Sequence, residues 1–168
     1  GLREAGFEVI CMEARQVSAT LQAMRNKTDR NDARGLAQIL RTGWYRTVHV
    51  KSAASHQARA LLSSRKVVLS KCCDLENELR GLLKVFGVRL PMRVGHGGFD
   101  ALVREQLQSH PALTKTLVPL LDARTVLYET FLKLDNAVKA QVRHDPVCQR
   151  LMTVPGIGPV TSLTFKAA

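Results

Sequence analysis

Asp29 and Asp32 are the residues of this chain whose type and spacing could do chemistry. They sit in the stretch Asn26-Lys27-Thr28-Asp29-Arg30-Asn31-Asp32-Ala33-Arg34-Gly35-Leu36-Ala37. Carboxylates three residues apart on a helix project about a turn apart from a shared face. Such a pair can hold a divalent cation beside a phosphate, and hard carboxylate oxygens suit Mg²⁺, which keeps several of its waters. Lys27, Arg30 and Arg34 bracket the pair and are the cations expected near phosphates. On spacing alone, an equal reading makes the two aspartates caps that complement the helix dipole.

The element that positions them is a helix. Thr28 or Asp29 can cap it, Leu36, Ala37, Ile39 and Leu40 supply its apolar periodicity, and Gly43 stops it. Upstream, Leu2 to Gly6 reads as the last turn of a helix with Gly6 as C-cap. Phe7 to Met12 reads as a buried strand of a parallel sheet, carrying Cys11 inward. Ala14 to Met24 is a short helix or irregular crossing, and Tyr45 to Lys51 an extended arm or edge strand. Together these make a partial α/β domain over residues 1–57.

A different architecture follows over residues 58–146. Leu61, Val68, Leu75 and Leu82 recur every seven residues, interleaved with Arg65, Cys72, Leu79 and Phe86. Leu117, Arg124, Phe131 and Val138, interleaved with Leu120, Leu127, Leu134 and Gln141, make a second seam. Two such helices form an antiparallel hairpin, a dimeric coiled coil, or both. Pro119 should start or kink the second helix. Between them, Pro91 to Gly98 reads as a flexible connector, followed by a short helix from about Asp100 to Gln108; its glycines lack the spacing of a phosphate-binding loop.

Residues 147–168 close the chain with a helix, the turn Val154-Pro155-Gly156-Ile157-Gly158-Pro159, and a second helix. In a helix-hairpin-helix the two glycines remove side chains so that backbone N–H groups approach a phosphate. Gly156, Ile157 and Gly158 are the candidate contacts, with Ile157 plugging the turn into the core. The alternative is a tight interhelical turn without a ligand.

The word KTDRNDA with its helix GLAQILRTG, the run Trp44 to Lys51, and Val154 to Thr161 together resemble, in the same order, the DEDD transposases of the bacterial insertion sequence 110/116/902 family. The resemblance implies a mainly α chain: the remnant of a RuvC/RNase H-like α/β domain, a long antiparallel helical coiled-coil linker, and the start of the transposase C-terminal domain. It implies that Asp29 and Asp32 match the last two of four acidic catalytic and metal-binding positions. The full-length protein would then cleave and rejoin DNA with Mg²⁺ held between carboxylates and a serine nucleophile outside this chain. Ser162 is no match for that serine. Glu13 stands too close to Asp29 to be the family's glutamate and is expected to pair with Arg15 or Lys27. The family is also understood to use an RNA encoded by its element, so DNA, a guide RNA and further copies of the chain are the implied partners. The chain itself is expected to be a fragment lacking both ends, and inactive alone.

Composition agrees. The 25 Lys+Arg against 14 Asp+Glu give a formal charge of +11, which favours a polyanionic partner. A hydrophobic fraction of 45% excludes a disordered polybasic tail. Neither a membrane span nor a secretory leader is visible, so a bacterial cytoplasmic, nucleoid-associated protein is expected. Cys11, Cys72, Cys73 and Cys148 lack metal or redox spacing and read as structural thiols; His49, His56, His96, His110 and His144 are scattered and carry no assigned chemistry. Two readings from other classes remain open: a non-catalytic nucleic-acid-binding helix-hairpin-helix protein, and a structural coiled-coil dimeriser.

Overall fold

The computed structural model describes residues 1–23 and 26–168. Among them it is mainly α, with helices α1 (Ala14–Gln22), α2 (Asp29–Thr42), α3 (Ala53–Val85), α4 (His96–Gln108), α5 (Pro111–Arg143), α6 (Pro146–Leu151) and α7 (Pro159–Ala167). None is long and apolar enough to cross a membrane. The chain divides into two compact units, Gly1–Ser52 and Ala53–Ala168.

In the first unit a single helical turn ends at Gly6, whose φ of 84° is open to glycine without strain. The Phe7 N–H donates back to the Leu2 carbonyl at 3.1 Å, closing that turn as expected. The buried parallel strand over 7–12 is not observed. Only Met12 bridges, antiparallel to Thr47, flanked by Val48 N–H to Cys11 O at 2.8 Å and Glu13 N–H to Arg46 O at 3.1 Å. Phe7 is 63% exposed and Cys11 lies on the surface. A strand persists by pairing, and among the described residues 11–13 have one short neighbour at 46–48; the arm from Tyr45 to Lys51 is likewise paired only around that bridge.

The second unit is built on the two 33-residue helices α3 and α5, packed as an antiparallel hairpin. Arg65 faces Asp135 and Glu76 faces Arg124, which fixes the register. The inward positions of α3 are Ala58, Leu62, Arg65, Leu69, Cys72, Glu76, Leu79 and Leu83; those of α5 are Leu117, Leu121, Arg124, Tyr128, Phe131, Asp135, Val138 and Val142. Both follow alternating steps of four and three, as two packed helices require.

At four places the buried residue lies one position beyond the expected one: Glu76, Leu83, Leu121 and Val142 are buried, whereas Leu75, Leu82 and Leu120 are partly buried and Gln141 is exposed. Leu61, Leu82 and Leu120 still pack against the two cores. At Glu76 a polar residue takes the buried position beside a leucine that a hydrophobicity pattern selects instead. Phe86, assigned to the seam, is 55% exposed.

One core cluster lies where α3 ends and α5 begins. Leu79, Leu83 and Val88 meet Phe99, Val103 and Leu107 of α4 and Leu117 and Leu121 of α5. α4 starts at His96, earlier than the sequence suggests, so Gly97 and Gly98 are helical and part of the expected connector is ordered structure. Val88, Leu90 and Val94 pin the remaining loop to this cluster. α5 starts at Pro111, where a missing N–H costs nothing, and Pro119 lies inside it.

The second cluster lies at the other end of the hairpin, where Ala58, Val138 and Val142 pack on Cys148, Leu163 and Ala167. Asp145 caps α6, accepting from the N–H groups of Val147 and Cys148 at 3.0 and 3.1 Å, and pairs with Lys166 of α7. Helices α6 and α7 are thereby held onto the hairpin by an apolar core and to each other by an ion pair.

Candidate functional site

Thr28 starts α2: its hydroxyl accepts from the Asn31 N–H at 3.3 Å, and Gly43, in the left-handed region at φ 67°, ends it. Because Thr28 takes the capping role, the two aspartates fall in the first turn rather than at the cap itself. Asp32 shares the inward stripe of α2 with the buried Gly35 and Ile39 and is half-buried; Asp29 is exposed. Neither makes an ion pair among the described residues.

Asp32 and Lys27 line a cavity of about 520 Å³ against Ala14, Val17, Ser18, Leu21 and Gln22 of α1. Lys27 and one of the two carboxylates thus line the same cavity. Arg30 and Arg34 are exposed and lie about 160° of helical rotation from Asp32, on the opposite side of α2. Glu13, at the N-terminal boundary of α1, forms neither expected pair with Arg15 or Lys27 among the described residues.

As a donor set, Asp29 and Asp32 fit Mg²⁺ in kind: hard oxygens, uncommitted to another cation, beside a lysine suited to a phosphate. They supply two ligands, and no third His, Cys, Asp or Glu joins them among the described residues.

Gly156 turns the α6–α7 connection at φ 86°, and Gly158 precedes α7 in extended backbone. Ile157 is half-buried, and its N–H donates to the Val154 carbonyl at 3.1 Å. Val160 and Thr161 follow Pro159 in the first turn of α7, and their N–H groups belong to the positive end of that helix.

A polar cluster missed by sequence reasoning lies between α3, α4 and α5. The Glu76 carboxylate accepts from Arg124 Nε at 2.9 Å and from Arg124 Nη2, and meets His96 Nδ1 at 2.9 and 3.0 Å. Arg124 also donates to the His96 carbonyl, and its guanidinium stacks 4.8 Å from the Tyr128 ring centroid and 5.3 Å from that of Phe99. Burial alone would raise the Glu76 carboxyl, but hydrogen bonds from His96 and Arg124 outweigh it and hold it below its ordinary value.

Cys72, Glu76 and His96 carry ligand atoms within 4.8 Å of one another, a grouping that suits a soft divalent metal by type. The guanidinium at the same carboxylate oxygen already supplies the positive charge. Burial also pushes the Cys72 thiol up, away from the thiolate a metal would need. The grouping is a structural knot. Its one sequence signal is Arg124 at a heptad position, which calls for a buried acid opposite.

Comparison with known proteins identifies a family. Residues 1–87 match the family model described as Transposase, of the IS110 DEDD type. A probable family 20 transposase of Pseudomonas aeruginosa is 29% identical over 99% of this chain and 50% of its own length. The transposase for insertion sequence element IS1111A of Coxiella burnetii is 29% identical over 85% of the chain and 40% of its own length. The transposase for insertion sequence element IS1328 of Yersinia enterocolitica is 25% identical, over 82% and 41%. The chain thus spans half or less of the length of these relatives. No solved structure matches. With Asp29, Asp32 and the whole of α2 inside the matched residues, the chain belongs to the IS110-type DEDD transposase family.

Proposed function

We propose that this chain is part of an insertion-sequence transposase that carries out DNA transposition, and that Asp29 and Asp32 are two of the carboxylates that hold Mg²⁺ in the full-length protein. The observation that carries this reading is the pair itself. Both aspartates stand in the first turn of a helix already capped by Thr28, and both are free of ion pairs among the described residues. Had capping been their role, Thr28 would be redundant.

When bound between carboxylates, Mg²⁺ supplies charge stabilisation at the oxygens of a phosphodiester. The chain's own share is narrower. Asp32, half-buried on the inward stripe, is held in direction by α2, and Lys27 on the same cavity offers a cation to a phosphate oxygen. Arg30 and Arg34 face the other way and serve the same centre only if the nucleic acid wraps α2. Gly156, Ile157 and Gly158 form a second proposed contact, with the start of α7 presenting N–H groups to a phosphate. We assign the remaining carboxylates and the serine nucleophile to parts of the transposase outside this chain, and take α3 and α5 as the coiled-coil linker of a homo-oligomer that also engages a guide RNA.

The test is an excision assay in cells with a full-length transposase carrying this segment. Asp29→Ala and Asp32→Ala should each abolish excision while the protein accumulates normally. Excision at the parent level in both variants would remove the metal role.

A further inference from the structure

Two segments separated by the middle of α4, residues 79–99 and 106–121, meet at one end of the α3–α5 hairpin around a shared core. Together they hold Arg80, Lys84, Arg89, Arg93 and Lys115 and no aspartate or glutamate. The bordering carboxylates are Glu78, Asp100, Glu105 and Asp122, and two of these, Asp100 and Asp122, share the guanidinium of Arg104 at 3.2 and 2.6 Å. Elsewhere in this unit acids and bases are interspersed, and several are paired, as Lys71–Asp74, Arg65–Asp135–Lys139 and Lys166–Asp145 show.

The loop at this end is ordered with its charges outward. Gly87, at φ 81°, closes α3, and the Val88 N–H returns to the Leu83 carbonyl at 3.1 Å. Val88, Leu90 and Val94 turn inward to the core, which leaves Arg89 and Arg93 exposed beside Lys84. Arg80 braces the loop, donating to the Pro91 carbonyl at 2.8 Å and stacking 5.1 Å from the Phe99 ring. Phe86 and Met92, 55% and 94% exposed, stand among these cations.

We propose that this basic end of the hairpin is a binding surface for the phosphodiester backbone of a nucleic acid, separate from both the Asp29/Asp32 helix and the Gly156–Gly158 turn. Cations presented on an ordered loop, with no carboxylate among them, meet a polyanion without reorganising and release its counterions on contact. Phe86 adds a ring on which an unpaired base can stack. The inference rests on the nucleic-acid reading above, and it names the surface that reading leaves unassigned.

The experiment titrates the full 168-residue chain against a labelled DNA duplex and a labelled RNA stem-loop across a range of salt. Three proteins are compared: the parent, K84A/R89A/R93A, and a control, R59A/K66A/K133A, which removes as many exposed cations from elsewhere on the hairpin. The first triple variant should lower the slope of log K against log salt by about 2 to 3, since each lost duplex phosphate contact contributes about 0.9. The control should stay within one unit of the parent. Lys115→Glu, on the other segment, should weaken binding on the same probe, and the probe affected identifies the nucleic acid. A parent slope retained in K84A/R89A/R93A, or an equal fall in the control, overturns the assignment and leaves the broader reading standing. No binding by the parent to either probe sinks both.

Discussion

Arg124 on α5 reaches across the hairpin to place two N–H groups on one oxygen of Glu76 on α3, and both side chains are shut off from solvent. A slide by one helical position would leave a charge buried without its partner, so the pair selects the register as well as filling the seam. Removing one partner of a buried pair is far costlier than replacing both. Arg124→Leu should therefore destabilise the second unit by about 3–5 kcal/mol. The double variant Glu76→Leu/Arg124→Leu should recover a large share of that loss in chemical denaturation. Additive losses in the double variant would mean that the two residues act independently.

Acid should weaken the same unit. Glu76, Asp135 and Asp145 are all held below their ordinary values: Glu76 and Asp135 by hydrogen bonds that overcome their burial, Asp145 first by Lys166. As pH falls, the unfolded chain takes up these protons before the folded one does. The stability they contribute is thus fully present above the ordinary carboxylate range and is lost as pH falls through it and below. Melting temperature should be flat from about pH 6 to 7 and decline below about pH 4.5, more steeply in the parent than in Glu76→Gln. Equal slopes in the two would remove Glu76 from the account.

The corrected seam makes neighbouring leucines unequal. Leu79 and Leu83 are fully buried, whereas Leu75 and Leu82 are only partly so. Leu79→Asp and Leu83→Ala should each cost on the order of 2–5 kcal/mol, the aspartate more because it adds a desolvated charge. Leu75→Ala should cost less than half as much. A Leu75 variant as damaging as Leu83→Ala would restore the seam drawn from hydrophobicity.

At α2, Thr28→Ala should cost about 1 kcal/mol through loss of a cap. Asp29→Ala and Asp32→Ala should shift stability by a few tenths, the size of a screened dipole interaction. Comparable losses from all three would make the aspartates structural.

Mg²⁺-dependent cleavage of a supercoiled plasmid is expected to be undetectable with this chain alone, because Asp29 and Asp32 are joined by no third ligand among the described residues, a two-metal centre needs more, and such groups act as a unit. Cleavage abolished by Asp29→Ala would reverse that expectation.

By itself the sequence determined what is local. Thr28 and Gly43 bound α2 because capping and positive φ are properties of single residues, and the word around Asp29 and Asp32 is contiguous. The two long helices are legible because a sevenfold repeat survives polar interruptions. Only the tertiary structure decided that Lys27 and Asp32 line one cavity against α1. It also decided that, among the described residues, the segment 7–12 pairs only at Met12, and that Glu76 is buried at a seam position a hydrophobic pattern gives to Leu75. Burial of a charge depends on the partner supplied from the opposite helix, and Arg124 lies far from Glu76 in sequence. The basic end of the hairpin has the same origin, since the acid-free segments on either side of Asp100–Glu105 are brought together by the fold.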